Sequence, residues 1–401
     1  MSVLLSESAS LTARETLTVL GMRGLRADVL EIHAPTIARF SRWRRRVIRA
    51  PGPSRDPLGY LDLVGRLIAS GEYEAVLPTH EQAWLFAAGR RLLPDGAPLA
   101  VAPIDAFDRV QSKTAFAALL DELEVPQPRW WRAEDRPSHP PYPHWVKASY
   151  GTAGRSVRRV TDLEQERDAI HDLAAGGGSV MGQAPAPGRY GQVATLFDHG
   201  RLVAVHTSVQ LGLGAGGSAA ARLSVDHPRV REYAARVGRH LAWHGALTLD
   251  YLHVEGHPQF IEANPRMVEP GNAACAGVDF PALTIALAAD APLPEEVVVG
   301  RAGVRTRSAM ALALGAAERD GSRAAVLRTL GGCALKHGEL GRASEVLTPV
   351  RRDPASLVPL AYATARLLLR PASVASVARG AVDDYAVSPE AIAMVRAHTP
   401  G

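Results

Sequence analysis

Short apolar runs alternate with stretches of helical spacing through the first hundred residues. Val3-Leu4-Leu5 predicts a strand, followed by a helix over roughly 11–23 that ends near Gly24. Ala27–Ile32 reads as a second strand and Arg46–Ala50 as a third. A helix over about 56–70 precedes the strand Ala75-Val76-Leu77, another helix follows, and Leu99–Ala102 is again strand-like. Strands that alternate with helices predict a parallel sheet with helices on both faces. No Gly-x-Gly-x-x-Gly follows the first strand, which argues against a dinucleotide site there. Arg42, Arg44, Arg45 and Arg46 form a short basic run, expected as a solvated loop.

Residues 105–124 carry the stripe of an amphipathic helix, with Phe107, Val110, Ala117 and Leu120 on one side and Val125-Pro126 closing it. Lys113 lies on this helix. The Pro-rich stretch 134–143 predicts a loop. His144–Ala148 then reads as a strand carrying Lys147, and runs into Ser149-Tyr150-Gly151-Thr152-Ala153-Gly154, with Ser156–Val160 as the return strand. A small-residue hairpin loop beside a strand lysine can lay backbone N–H groups over phosphates, although most such loops are only turns. A helix over about 162–175 leads to the strand Ser179–Gln183, a rigid connection over Ala184–Gly188, and strands over about 190–197 and 201–207. Gly212–Gly217 is a second glycine-rich segment, expected to be mobile, and Pro228–Trp243 is helical. Residues 322–398 have helical spacing with Pro and Gly breaks and no repeat of fixed period.

Residues 245–272 predict a β-hairpin, with β-prone runs flanking a turn at Glu255-Gly256-His257. If the turn centres on Gly256, residues equidistant from it face each other, and Asp250 lies opposite Glu262. Alternation along the strand puts Asn264 on the same side of the sheet. Two carboxylates placed opposite one another repel, and a divalent cation removes that penalty. Asp, Glu and Asn offer oxygen atoms, which suits Mg²⁺ held together with a nucleotide's phosphates. Arg266 follows where Pro265 ends the strand, with a planar fork suited to phosphate or carboxylate. The same spacing also describes a solvated hairpin with acidic residues on its exposed face.

Composition narrows the field. The chain has 401 residues, 47% of them hydrophobic and 21% charged, enough for large cores and two to four domains. No apolar run reaches membrane-spanning length, and the start lacks the basic stretch of a signal peptide. With Cys275 and Cys333 alone there is no disulfide framework or thiolate cluster, so a reducing cytoplasm is expected. The net charge of +4 is concentrated late: residues 301–401 hold 14 Lys+Arg against 8 Asp+Glu, and the first 300 hold 31 against 33. Without an aromatic-rich basic stripe, nucleic-acid binding is not expected. Only three of 45 basic residues are lysine, namely Lys113, Lys147 and Lys336. In so arginine-rich a background, a retained lysine points to a need for a compact ammonium, as at a phosphate oxygen. Chance survival is the alternative.

In their order, Lys113, Lys147, the loop Gly151–Gly154, Asp250 and then Glu262-Ala263-Asn264-Pro265-Arg266 resemble the ATP-grasp superfamily, in the branch of biotin carboxylase, carbamoyl-phosphate synthase and many carboxylate–amine ligases. The resemblance covers about residues 1–290. It implies an α/β and α+β multidomain chain: an N-terminal parallel α/β (pre-ATP-grasp) domain over 1–105, a two-lobed core with antiparallel sheets, and a mainly helical C-terminal extension over 296–401. The small lobe would span 106–180 and the large lobe, with the Mg-ATP site, 181–295. By the same resemblance Lys113 and Lys147 hold ATP phosphates, Ser149, Gly151, Thr152 and Gly154 close over them, and Val180–Gln183 borders the adenine with Gln183 near its exocyclic amine. Asp250, Glu262 and Asn264 bind one or two Mg²⁺. Arg266 and Lys147 act as catalytic residues, Arg266 steadying the transferred phosphoryl group or the acyl phosphate. Two positions depart from the family: Ala184-Pro185 stands where many members have an acidic residue at the start of the adenine-to-ribose connection, and His206-Thr207-Ser208 where many have a basic one.

The reaction this implies is ATP-dependent amide formation. A carboxylate attacks the γ-phosphate to give an acyl phosphate and ADP, and an amine then displaces phosphate. Positioning and charge stabilisation suffice for such chemistry, consistent with the lack of a Ser-His-Asp or Cys-His constellation. Alternatives are a thiol or bicarbonate-derived acceptor, and a nucleotide-binding regulatory protein without turnover. The expected partners are a small carboxylate and a small amine, with no nucleic acid and no membrane. A homodimer is compatible with the resemblance, and the basic region after residue 300 is expected to cover the substrate side or to dock an acidic carrier or partner.

Overall fold

The computed structural model describes residues 2–151, 154, 156–175, 178–374, 382 and 384–398. Strands β1 (Ser2–Leu5), β2 (Ala27–Glu31), β3 (Arg44–Arg49) and β4 (Tyr73–Leu77) form a parallel sheet in the order β3-β2-β1-β4. Alternate residues feed opposite cores: Val3, Leu5, Val29 and Leu77 pack on one face, Leu4, Leu30 and Val76 on the other. Cover on both faces is why β1 and the centres of β2 and β4 are apolar at successive positions, whereas the edge strand β3 is arginine-rich and largely exposed. Leu99–Ala102 forms no strand. It continues as extended chain, and the Ala100 carbonyl approaches Gly245 so closely that a Cβ there would stand 2.4 Å from it.

The basic run is not a solvated loop. Arg44–Arg49 is strand β3, Arg42 before it donates its backbone N–H to Asp353, and Arg45 and Arg46 are drawn to one buried carboxylate, Asp28 of the neighbouring strand. Arg45 grips it with Nε and Nη2 at 2.8 and 2.6 Å, Arg46 donates Nε at 2.9 Å, and Tyr73 donates its hydroxyl at 2.6 Å. Pattern alone misses this because the partner lies on another strand.

The second sheet joins β5 (Trp130–Arg132), β6 (His144–Ala148), β7 (Val157–Val160) and β8 (Val180–Gln183) in the antiparallel order β5-β8-β6-β7. Before it, the helix expected over 105–124 is broken in two, Ile104–Gln111 and Lys113–Glu122. Ser112 leaves the helical region (φ −81°, ψ 125°) and its Oγ accepts from Ala115 N at 3.3 Å, so it caps the second helix. Lys113 is therefore the first residue of a helix, and its backbone N–H donates to Ser149 O at 2.9 Å.

The third sheet is the largest. It contains β9 (Arg189–Asp198), β10 (Arg201–Leu213), β11 (Ala219–Ser224), β12 (Gly245–Val254), β13 (His257–Asn264), β14 (Val298–Val299), β15 (Arg305–Arg307) and β16 (Ser344–Glu345), ordered β13-β12-β9-β10-β11-β15-β16 with β14 beside β10. Gly212–Gly217, expected to be mobile, continues β10 to Leu213 and turns through a short 3₁₀ segment into β11. The C-terminal region is mainly helical, as expected, but it also supplies β14, β15 and β16 to this sheet. Its last described helix, Pro389–Ala397, returns Ile392 and Val395 to the core that the N-terminal sheet shares. No helix among the described residues is long and apolar enough to cross a membrane.

Burial pushes the Asp28 carboxyl up, but the hydrogen bonds from Arg45, Tyr73 and Arg46 outweigh it and hold the group at about 2. With its folded value below the ordinary carboxylate one, Asp28 contributes stability that is present above about pH 4 and lost as pH falls through about 2. Because Arg45 is 35% exposed and Arg46 47%, solvent screening reduces the contribution to about 1–2 kcal/mol. Asp28→Asn is expected to lower unfolding free energy by that amount at pH 7, with the gap to wild type closing between pH 4 and 2 in denaturant titrations.

Candidate active site

The β12–β13 hairpin turns tightly at Glu255 and Gly256, both in the left-handed region (φ 50° and 80°), a two-residue turn that matches the twist of the strands. That turn pairs Val254 with His257 and Tyr251 with Phe260, and continued regularly it would set Asp250 against Ile261. A β-bulge intervenes. Ile261 is the extra residue, after which Asp250 pairs with Glu262, Leu249 with Ala263 and Thr248 with Asn264. The face-to-face acids predicted from the sequence are present, but a two-residue turn plus a bulge creates them in place of a turn centred on Gly256.

Asp250 is buried (7% exposed), and its carboxylate accepts from Gln192 Nε2 at 2.9 Å and Asn264 Nδ2 at 3.2 Å. Burial first, and then the Glu262 charge, pushes this carboxyl up to about 6. Burial would also raise Glu262, but Lys113, Lys147 and Arg266 outweigh it and hold Glu262 below the ordinary range. Two facing acids with opposite shifts form a site in which one carboxylate is kept charged and the other sits near its titration point.

Both predicted lysines arrive here. Lys113 Nζ stands 3.3 Å from Glu262 Oε1 and donates to Gly151 O at 2.9 Å. Lys147, from β6, donates to Gln183 Oε1 at 2.7 Å and reaches Ile261 O, the carbonyl displaced by the bulge, at 3.5 Å. Burial pulls the Lys147 ammonium down to about 8, with Glu262 opposing and Lys113 adding to the shift. Arg266 is buried just beyond β13, held by its backbone N–H to Asn264 O at 2.7 Å and by Thr248 Oγ1 to its carbonyl at 2.9 Å. A cleft of about 370 Å³ opens over these groups, lined by Lys113, Gly151, Glu262, Asn264 and Arg266 and closed on the far side by His80 and Trp84. His80 is kept well below the usual histidine range by burial and by Arg266, so it adds no charge.

The other predicted positions lie around this cluster. The Ser149 hydroxyl donates to Ser179 O at 2.8 Å and meets Thr114 Oγ1 at 2.9 Å, tying β6 to β8 and to the Lys113 helix. Gly151 and Gly154 have positive φ (129° and 70°), and Thr152 lies outside the described residues. Ala184 and Pro185 follow Gln183 at the rim, half-buried and exposed. His206 is buried against Ser224 Oγ at 2.9 Å, and burial with the nearby Arg222 pulls it down to about 3, so it is neutral.

Sequence reasoning missed Gln192, Tyr190 and Arg222. Gln192 stands opposite Asp250 across the β9–β12 pair, and Tyr190 donates its hydroxyl to the same carboxylate. Arg222 occupies β11, the strand after the one where a cation was expected, and its charge acts on Asp250 and Glu269. None carried a signal: the pairing of β9 with β12 spans a long stretch of chain, and one arginine among so many does not stand out.

No protein-family model matches the chain. A stretch of 164 residues, 38% of the chain, is 29% identical to part of acetyl-CoA carboxylase of Dictyostelium discoideum, and spans 7% of that protein's length. Among solved structures, the chain is similar to the biotin carboxylase domain of 2-oxoglutarate carboxylase from Hydrogenobacter thermophilus, solved with MgADP and bicarbonate (TM-score 0.58, 16% identity, 76% of this chain and 73% of that one). It is also similar to L-amino acid ligase from Bacillus licheniformis (TM-score 0.54, 15% identity, 72% and 74%). Identities this low speak to architecture alone, and with the parallel sheet, the two antiparallel sheets and the cleft between them they establish that the chain has the ATP-grasp fold.

Proposed function

We propose that the chain is an ATP-dependent ligase that joins a carboxylate to an amine through an acyl phosphate, releasing ADP and phosphate. The observation that carries this reading is the opposed pair Asp250 and Glu262, with Asn264 on the same face and Lys113 on the Glu262 carboxylate. Setting a buried carboxylate directly against a part-exposed one is costly, and oxygen donors of this kind fit a hard divalent cation. When bound, Mg²⁺ neutralises charge on transferring phosphoryl oxygens. Asp250, Glu262 and Asn264 would hold it. Lys113 and Lys147 would bind ATP phosphates, Gln183 and the start of the Ala184-Pro185 connection would border the adenine, and Arg266 would steady the transferred group.

The step itself is a displacement at phosphorus. A substrate carboxylate oxygen bonds to the γ-phosphorus, the bond to the bridging oxygen breaks, and ADP leaves with the electron pair. The amine then adds to the acyl carbon and phosphate departs. The chain's residues supply fixed positive charge where negative charge develops, and no protein nucleophile is required. A second reading, activation of bicarbonate, draws support from the matched stretch of acetyl-CoA carboxylase and from the bicarbonate in the 2-oxoglutarate carboxylase structure. ADP release measured across carboxylate–amine pairs, with mass spectrometry of the product, separates the two: bicarbonate-dependent release without any amine favours carboxylation.

Glu262→Gln is expected to lower ATP turnover roughly 100-fold or more while circular dichroism and melting stay near wild type, because it changes charge and little volume. Lys147→Arg is expected to raise the KM for ATP roughly tenfold, since a guanidinium fork does not fit the slot between Gln183 and the Ile261 carbonyl. In metal-free protein the Asp250 carboxyl carbon is expected to titrate near pH 6 by NMR. Glu262→Gln should move that midpoint down, because the raising charge has gone; an unmoved midpoint would show that the two acids are not electrostatically paired.

A further inference from the structure

At the opposite end of the large sheet's central strands, three side chains of metal-binding type converge. Asp198 closes β9, His199 follows it in the turn to β10, and His244 precedes Gly245, the first residue of β12. The pairing of Asp198 with Arg201 leaves His199 and Gly200 as a two-residue turn, and both have positive φ (46° and 88°). Gly200 N donates to Trp243 O at 2.7 Å, which ties the turn to the segment carrying His244. The two imidazoles therefore meet, their ring centres 4.2 Å apart and their planes inclined by 26°. One ligand atom from each histidine and a carboxylate oxygen of Asp198 all lie within 4.8 Å of one another. His244 stands six residues before Asp250, roughly 20 Å along extended chain, so the cluster is distinct from the cleft over the acidic pair.

The cluster is not satisfied by its own contacts. His244 Nδ1 is buried and has no hydrogen-bond partner among the described residues; Asp198 Oδ1 stands 3.8 Å from it, beyond hydrogen-bond reach. A buried nitrogen in this state costs free energy unless something binds it. Burial first, and then the His199 charge, pulls His244 below the usual histidine range, while Asp198 and Asp290 oppose the shift and Arg90 adds to it. The ring is therefore neutral near pH 7, the form that ligates metals. Arg201 Nη2 holds Asp198 Oδ2 at 3.2 Å and leaves Oδ1 facing His244. A turn with positive φ at both positions favours Asn or Asp before Gly, so the histidine at 199 brings a ring nitrogen that the turn does not need. We propose that Asp198, His199 and His244 bind one Zn²⁺ through a carboxylate oxygen and two ring nitrogens, with water in the fourth position. Two nitrogens and one oxygen suit zinc better than Mg²⁺, which takes oxygen ligands. Ligand atoms around tetrahedral zinc stand about 3.3 Å apart, and His199, exposed at the turn, can swing inward to close the set. The ion pins the β9–β10 turn to the entry of β12, the strand that carries Asp250, and this role does not depend on the ligase reading.

The test is titration of the full chain with Zn²⁺ against a chromogenic chelator, in a large excess of Mg²⁺ that competes for the Asp250–Glu262 pair. One equivalent of zinc is expected to be held despite the Mg²⁺ and to raise the melting temperature. His199→Asn suits the turn at least as well as the native residue, so circular dichroism should stay unchanged. The same substitution should weaken zinc binding roughly tenfold or more and abolish the zinc-dependent rise in melting temperature. His244→Ala removes the second nitrogen and should do likewise; where it fails to fold, His199→Asn decides alone. Zinc displaced by Mg²⁺ would assign the ion to the acidic pair and overturn the proposal. Zinc held as tightly by His199→Asn as by wild type, or not held by wild type at all, overturns it too.

Discussion

Two carboxylates held face to face in a sheet are an electrostatic liability, and much of this chain is arranged to sustain them. A bulge at Ile261 sets the register that opposes Asp250 to Glu262. Were the strands paired regularly from their turn, Ile261 would face Asp250 and Glu262 would turn to the other side of the sheet. The same irregularity frees the Ile261 carbonyl toward Lys147. One backbone defect thus positions an acid and orients a base, which fits the tendency of bulges to lie beside functional sites.

The charges around the pair are divided unevenly. Glu262 has Lys113 at 3.3 Å and the fields of Lys147 and Arg266, whereas Asp250 has neutral donors from Gln192, Asn264 and Tyr190. One acid is therefore ionised by its neighbours, and the other is solvated by amides in a buried position. The bases come from two different elements. Lys113 starts a helix only because Ser112 interrupts the one before it, and Lys147 rides β6, opposite Met181, and reaches diagonally to Gln183 on β8.

A second, smaller cleft beside β11 carries mixed charge. There Arg222 and Arg307 face Glu15 and Glu269, and burial, then the Glu269 charge, pushes the Glu15 carboxyl up. The C-terminal region closes this side. Arg307 on β15 donates to the carbonyls of Leu340 and Gly341 at 2.9 and 2.8 Å and to that of Ala343, which locks the late helices to the sheet edge. A segment read from composition as a basic extension is thus part of the wall beside β11.

The sequence alone determined what depends on near neighbours. Strand periodicity, the tight turn at Gly256 and the alternation that groups Asp250, Glu262 and Asn264 were legible because each concerns residues a few positions apart in one hairpin. Of the three lysines, Lys113 lines the cleft, Lys147 is buried between Gln183 and the Ile261 carbonyl, and Lys336 is exposed. Tertiary structure decided the rest. It set the bulge, the helix break at Ser112, the capture of Arg45 and Arg46 by Asp28, and the convergence of Glu15, Arg222 and Glu269 on one cavity. These depend on which distant strands pair and which charges are desolvated together. Spacing along a chain encodes neither, because burial and long-range register are fixed only when the whole core packs.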